Sequence, residues 1–89
     1  MPQVEVTISN KLGLHARAAA KLTKLAGQFN SEIFISKGSR RVNAKSIMGV
    51  MMLAAGLGTT VTIDAEGSDA DQALAEIVNL FNDKFGEDA

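Results

Sequence analysis

The sequence predicts an α+β domain: an open-faced β-sandwich in which a four-stranded, mostly antiparallel sheet carries three helices on one face, in the order β-α-β-β-α-β-α. Three observations carry the prediction. Two segments alternate apolar and polar residues cleanly, so each strand buries one face only, which suits antiparallel pairing with one face covered. Two other segments repeat apolar residues at helical spacing. A chain of 89 residues holds one core, read as a single domain over residues 1–89, so every helix has to pack on the same sheet.

The elements follow in chain order. Residues 3–9 (QVEVTIS) set Val4, Val6 and Ile8 against Glu5, Thr7 and Ser9, a half-buried strand. Residues 10–13 (NKLG) are turn chemistry. From Ala16 to about Gly27, the apolar residues Ala18, Leu22, Leu25 and Phe29 recur at helical spacing, with Lys21 and Lys24 on the wet side. Gly27 closes that helix or the turn after it. Residues 31–36 and 40–43 read as two short strands joined by a hairpin at Lys37, Gly38 and Ser39. Residues 46–53 form a short apolar helix that stops before Gly56 and Gly58. Residues 59–66 alternate again, with Val61, Ile63 and Ala65 inward and Thr60, Thr62, Asp64 and Glu66 outward. Residues 69–85 close the chain as an amphipathic helix. Its apolar face is Ala70, Leu74, Ile77 or Val78, Phe81 and Phe85, and Ser68 or Asp69 is its cap. The final GEDA reads as a frayed tail.

Composition excludes several classes of chemistry. No cysteine is present, so disulfide frameworks and thiolate catalysis are out. A single histidine without cysteine cannot build the usual zinc ligand sets, and no metal or cofactor is expected. Nucleophile-elbow, phosphate-loop and dinucleotide motifs are absent. With no Tyr or Trp, the strands lack the stacking positions of an RNA-reading sheet, so no nucleic acid is expected. No apolar run approaches the ~18 residues of a membrane span, and the N-terminus does not read as a signal peptide. Membrane insertion is therefore not expected, and a cytoplasmic location is. The net charge of −1 is uneven: residues 1–45 carry +6 and residues 46–89 carry −7. Either the fold interleaves the halves and the field averages out, or a basic face around His15 steers acidic partners.

His15 stands where the 10–13 turn gives way to an alanine-rich helix, with Arg17 two positions on. Imidazole can act as a nucleophile and form a covalent phosphoryl intermediate. A helix N-terminus disfavours imidazolium and stabilises an anion attached to the ring. Arg17 can add charge-assisted hydrogen bonds to a phosphate. Ala16, Ala18, Ala19 and Ala20 are read as leaving the surrounding surface small and open to another protein. These residues by themselves leave a second reading open, in which His15 is an ordinary surface or capping residue.

The stretch GLHAR followed by a small-residue helix resembles the phosphohistidine motif of the HPr family, the phosphocarriers of the phosphoenolpyruvate-dependent phosphotransferase system (PTS). NAKSIMGVMML is similar to that family's regulatory-serine helix, and NKLGLHAR and LFNDKFGED look most like proteobacterial members, the nitrogen-branch type included. The resemblance spans nearly the whole chain. It implies that His15 accepts a phosphoryl group on Nδ1 from Enzyme I and passes it to EIIA-type proteins. It further implies that Arg17 steadies the group, that HPr kinase/phosphorylase can modify Ser46, and that the carrier is a monomer and not an enzyme. Ala18 departs from the pattern, because the family usually has proline there.

Ser46 is also a good N-cap for the helix that follows it. That helix is apolar nearly all round, and a one-sided sheet can bury only one face of it. Some of Ile47, Met48, Met51 and Met52 must stay exposed, and flexible methionine suits a surface serving several partners. With the first helix, the resemblance adds Ala20 and Lys24 to that surface, and Ala16 beside His15. A rival reading makes the chain a regulatory adaptor controlled mainly through Ser46 phosphorylation.

Overall fold

The computed structural model describes residues 2–89. Its elements are β1 (Gln3–Thr7), α1 (Ala16–Ala26), β2 (Glu32–Lys37), β3 (Arg40–Asn43), α2 (Ile47–Met52), β4 (Thr60–Glu66) and α3 (Ala70–Asn82), followed by a single 3-10 turn, Lys84–Gly86. The sheet order is β1-β4-β2-β3 and every pairing is antiparallel. Three helices lie over one face, as expected from strands that alternate.

Alternation decides which face is buried. Val6 on β1, Ile33 and Ile35 on β2, and Val61, Ile63 and Ala65 on β4 all point into the core with Leu22, Val50, Ile77 and Phe81 from the helices. The hairpin between β2 and β3 turns on Gly38 and Ser39, between the paired Lys37 and Arg40. Gly38 takes φ +60°, as the first central position of a type II′ turn requires.

Several expectations change in detail. Ala18 and Ala19 are not open surface: both are fully buried under α1, and only Ala16 and Ala20 are exposed. Leu25 is half-buried, and Ala26 takes the core position near it. Asp64 faces the open side of the sheet as expected, yet it is buried. Arg41 reaches across the Phe34 ring, 3.8 Å from its centre, and donates to Asp64 Oδ2 at 2.6 Å. Asp69 is the N-cap residue of α3, but its side chain does not cap that helix. Its carboxylate instead accepts from the Asn30 and Ser31 amides, both at 2.9 Å, and from Ser31 Oγ at 2.5 Å. It thereby fixes the loop between α1 and β2 to the start of α3.

The largest departure is at the C-terminus. α3 stops at Asn82 rather than Phe85. Lys84 and Phe85 then adopt φ +54° and +55°, which reverses the chain. Left-handed backbone costs roughly 1–2 kcal/mol per non-glycine residue. Burial of Phe85, edge-on to Phe81 with centroids 4.9 Å apart, returns about 1.5–3 kcal/mol. Lys21 Nζ adds a hydrogen bond to Phe85 O at 2.5 Å. The tail is therefore docked rather than frayed, and it is carried back toward the start of α1.

Candidate phosphoryl-accepting site

The 10–13 turn sets the position of His15. Asn10 is fully buried, and its Nδ2 donates to Gly13 O at 2.8 Å while the Gly13 amide donates to Asn10 O at 3.2 Å. Gly13 has φ +65°, and a Cβ there would lie 2.5 Å from Ala55 O, so glycine is required on both counts. Leu14 follows into the core and its amide bonds Ala55 O at 2.9 Å. His15 is thus delivered to the helix mouth by a turn with little freedom.

His15 is the N-cap residue of α1, with extended backbone (φ −71°, ψ 177°), and its side chain makes no cap bond. The first intrahelical bond is from the Ala19 amide to His15 O at 2.8 Å. The amides of Ala16, Arg17 and Ala18 precede it and form the orphan donor set of a helix N-terminus. Ala18 stands in this first turn, and its amide is one of those donors.

The imidazole is engaged from one side. Its Nε2 is hydrogen-bonded to the Glu87 carboxylate, and the other Glu87 oxygen accepts from Asn10 Nδ2 at 3.1 Å. These two hydrogen bonds, His15 first and Asn10 second, hold the Glu87 carboxyl below its ordinary range. A carboxylate only accepts, so in the neutral ring Nε2 carries the proton and Nδ1 keeps its lone pair. Among the described residues no hydrogen bond reaches Nδ1. The capping role left open by the sequence does not apply: the ring is oriented by a carboxylate, with its second nitrogen free.

His15 lies in an open depression of about 640 Å³ lined by Lys11, Leu12, His15, Arg17, Glu87 and Ala89. Arg17 is exposed there, and no side-chain hydrogen bond or ion pair holds it among the described residues. Glu87 and Asn10 were not among the residues singled out from sequence. One hint existed, since a tail that follows a buried Phe85 starts from an anchored point.

Ser46 is the N-cap of α2, and its Oγ accepts from the Gly49 amide at 3.1 Å. Ile47, Met48, Met51 and Met52 are all exposed, Met48 at 69%, whereas Val50 is buried. α2 packs against α1, on which Ala20 and Lys24 are exposed. The C-terminal carbonyls of α2 are covered by the β2–β3 hairpin: Arg40 Nη1 donates to Met52 O at 2.6 Å, and Lys37 Nζ to Leu53 O at 3.1 Å. No cluster of metal-ligating side chains and no helix long and apolar enough to cross a membrane occur among the described residues.

A family model described as "PTS HPr component phosphorylation site" matches residues 2–83. The chain belongs to the HPr family of PTS phosphocarriers. It is similar to the phosphocarrier protein HPr of Cupriavidus necator, 56% identical over 87 residues that cover 98% of each chain. It is also similar to the phosphocarrier protein NPr of Shewanella violacea, 51% identical over 83 residues, 93% of this chain and 91% of that one. The structure of HPr-C-His from Thermoanaerobacter tengcongensis superposes with a TM-score of 0.96 at 45% identity, covering both chains completely. An HPr dimer from the same organism superposes with a TM-score of 0.79 at 46% identity, over 98% of this chain and 100% of that one. HPr-family proteins are phosphocarriers, not enzymes.

Proposed function

We propose that this chain, acting as one domain over residues 1–89, accepts a phosphoryl group on His15 Nδ1 from phospho-Enzyme I and passes it to EIIA-type proteins. The observation that carries the reading is the His15–Glu87 hydrogen bond, in which Nε2–H donates to the carboxylate so that Nδ1 is left as the nucleophile. The Nδ1 lone pair attacks phosphorus as the bond from phosphorus to the donor's carrying atom breaks, and that atom recovers the electron pair. The Nε2 proton stays in place, so the phosphorylated ring is cationic and the Glu87 carboxylate stabilises it. Arg17 and the amides of Ala16 and Arg17 are suited to the phosphoryl oxygens. Transfer to the acceptor reverses the same steps.

Partners dock on the exposed faces of α1 and α2, through Ala16, Ala20, Lys24, Ile47, Met48, Met51 and Met52. The exposure of these side chains supports that assignment. Ser46 is the regulatory position for an HPr kinase/phosphorylase. A phosphate there suits the N-terminus of α2 but places about −2 charge beside the docking face. The carrier works as a cytoplasmic monomer.

Incubation with Enzyme I and phosphoenolpyruvate, followed by intact-mass measurement, tests the proposal. One acid-labile phosphoryl group, absent in His15→Ala, is expected. No mass change with a competent Enzyme I would overturn it.

A further inference from the structure

Three polar side chains are buried among the described residues: Asn10, Ser31 and Asp64. Ser31 and Asp64 each meet one partner side chain, Asp69 and Arg41 respectively. Asn10 works on two segments at once, and one of its atoms is left over. Its Nδ2 donates to Gly13 O at 2.8 Å and to Glu87 Oε1 at 3.1 Å, so both hydrogens are used. Its Oδ1 is buried, and no described residue donates to it. Turning the amide over gives no relief, because Oδ1 would then face Gly13 O and the Glu87 carboxylate, which only accept. The partners of Nδ2 therefore set the orientation, and Oδ1 bears the desolvation penalty of a buried acceptor.

An apolar side chain at this position would bear no such penalty. Closure of the turn does not by itself require asparagine either. The Gly13 amide already bonds Asn10 O at 3.2 Å, and that backbone bond is open to any side chain. A buried polar group kept at a cost beside a reactive imidazole points to use in the site. Glu87 shows what the use is. Its carboxylate accepts two hydrogen bonds, one from the His15 ring and one from Asn10. The ring can rotate about its side-chain bonds, and Glu87 lies beyond the last turn of the chain. Asn10 alone of the three is tied into the sheet end of the fold: Ile8, two residues before it, bonds Thr59 O at 2.9 Å and accepts from the Gly58 amide at 2.8 Å.

We propose that Asn10 is a positioning residue for phosphoryl transfer: it fixes the Glu87 carboxylate, which in turn holds the His15 ring with Nδ1 free. The inference rests on His15 being the phosphoryl acceptor. Without Asn10 the carboxylate swings with the ring, and the ring samples arrangements in which Nδ1 carries the proton or faces away from phosphorus. Transfer requires Nδ1 aligned at about 3–3.5 Å from the phosphorus it attacks. As the phosphoryl group arrives the ring becomes cationic, and a carboxylate held by a second donor is already in place to stabilise it.

Initial rates of phosphorylation by phospho-Enzyme I, with the full chain as the varied substrate, test this in Asn10→Ala, Glu87→Ala and the double variant. Asn10→Ala should lower kcat about 3- to 10-fold with KM unchanged, and nitrogen-15 shifts of its His15 ring at pH 8 should report both tautomers. In the Glu87→Ala background the same substitution should change kcat by less than about twofold, because Asn10 then has no carboxylate to hold. Equal losses in the two backgrounds would overturn the proposal and leave Asn10 to the turn alone. An unchanged kcat in Asn10→Ala would overturn it too. A further measurement needs no change at Asn10. Its side-chain amide protons should exchange slowly with water in the unmodified protein, and that protection should fall in Glu87→Ala. Exchange at the same rate in both proteins would count against the bond that the proposal needs. An unmodified protein that takes up no phosphoryl group overturns the reading of His15 and this inference with it, whereas uptake at equal rates with and without Asn10 overturns this inference alone.

Discussion

The Glu87 carboxylate accepts the hydrogen bond of His15 Nε2 across 72 positions of chain, and Asn10 holds the other carboxylate oxygen. The C-terminal tail is thereby part of the site, and it selects which ring nitrogen is free.

Nitrogen-15 chemical shifts at pH 8, where an ordinary imidazole is neutral, should report a protonated Nε2 and an unprotonated Nδ1. Glu87→Ala should let the two tautomers mix and lower the rate of phosphoryl acceptance by about tenfold, the lower end of what loss of the orienting carboxylate costs at metal-ligating histidines. A single tautomer persisting in the variant would show that something other than Glu87 fixes the ring.

Acid should loosen the tail and the loop between α1 and β2. Glu87 is held below its ordinary range first by His15 and then by Asn10, and Asp69 first by Ser31 Oγ and then by the Asn30 amide. For both groups the folded state binds the proton less tightly than the unfolded chain. Their contribution is present above the ordinary carboxylate range, and it is lost as pH falls through the lowered folded values. Urea unfolding from pH 7 down to pH 3 should therefore show a declining midpoint. The decline should be shallower in Glu87→Gln and in Asp69→Asn, and an identical slope in both variants would count against this account.

Ser46→Ala removes the bond to the Gly49 amide and should destabilise the protein by about 1 kcal/mol, read from the urea midpoint at constant m. Ser46→Asp keeps a capping oxygen and adds negative charge at the N-terminus of α2, so stability should be retained. Its KM in phosphorylation by Enzyme I should nevertheless rise, because the charge lies beside the exposed Ile47 and Met48. Equal loss of stability in both variants would separate Ser46 from capping.

Ala18→Pro places the usual family residue back in the first turn of α1. The Ala18 amide precedes the first intrahelical bond, so proline breaks no backbone hydrogen bond there. The variant should keep one phosphoryl group per chain and gain about 0.4–1 kcal/mol through the stiffer unfolded chain. Because the Ala18 side chain is fully buried, a lower urea midpoint would show that the closed helix pairings leave no room for the ring.

Much of this architecture was legible in the linear order of residues. Alternation in residues 3–9 and 59–66 named the inward faces of β1 and β4, and helical spacing placed α1 and α3. Periodicity succeeds there because burial of one face is a local property, repeated every two residues in strands and about every 3.6 in helices. The Ser46 cap was readable for the same reason, since donor and acceptor lie three residues apart. His15 and Arg17 were visible as a pair because they flank one helix start.

What the chain order determined by itself was the set of elements, their inward faces, the Ser46 cap and the placing of His15 at a helix start. Only the tertiary structure decided what engages that imidazole. The partners of His15, Asp64 and Asp69 lie 72, 23 and 38 positions away, and no periodic pattern encodes such a meeting. The GEDA tail looked unstructured because its polarity gives it no face to bury, yet Phe85 anchors it and Glu87 completes the site. A carboxylate chooses its partner by distance in space after the core has formed, and only the packed fold sets that distance.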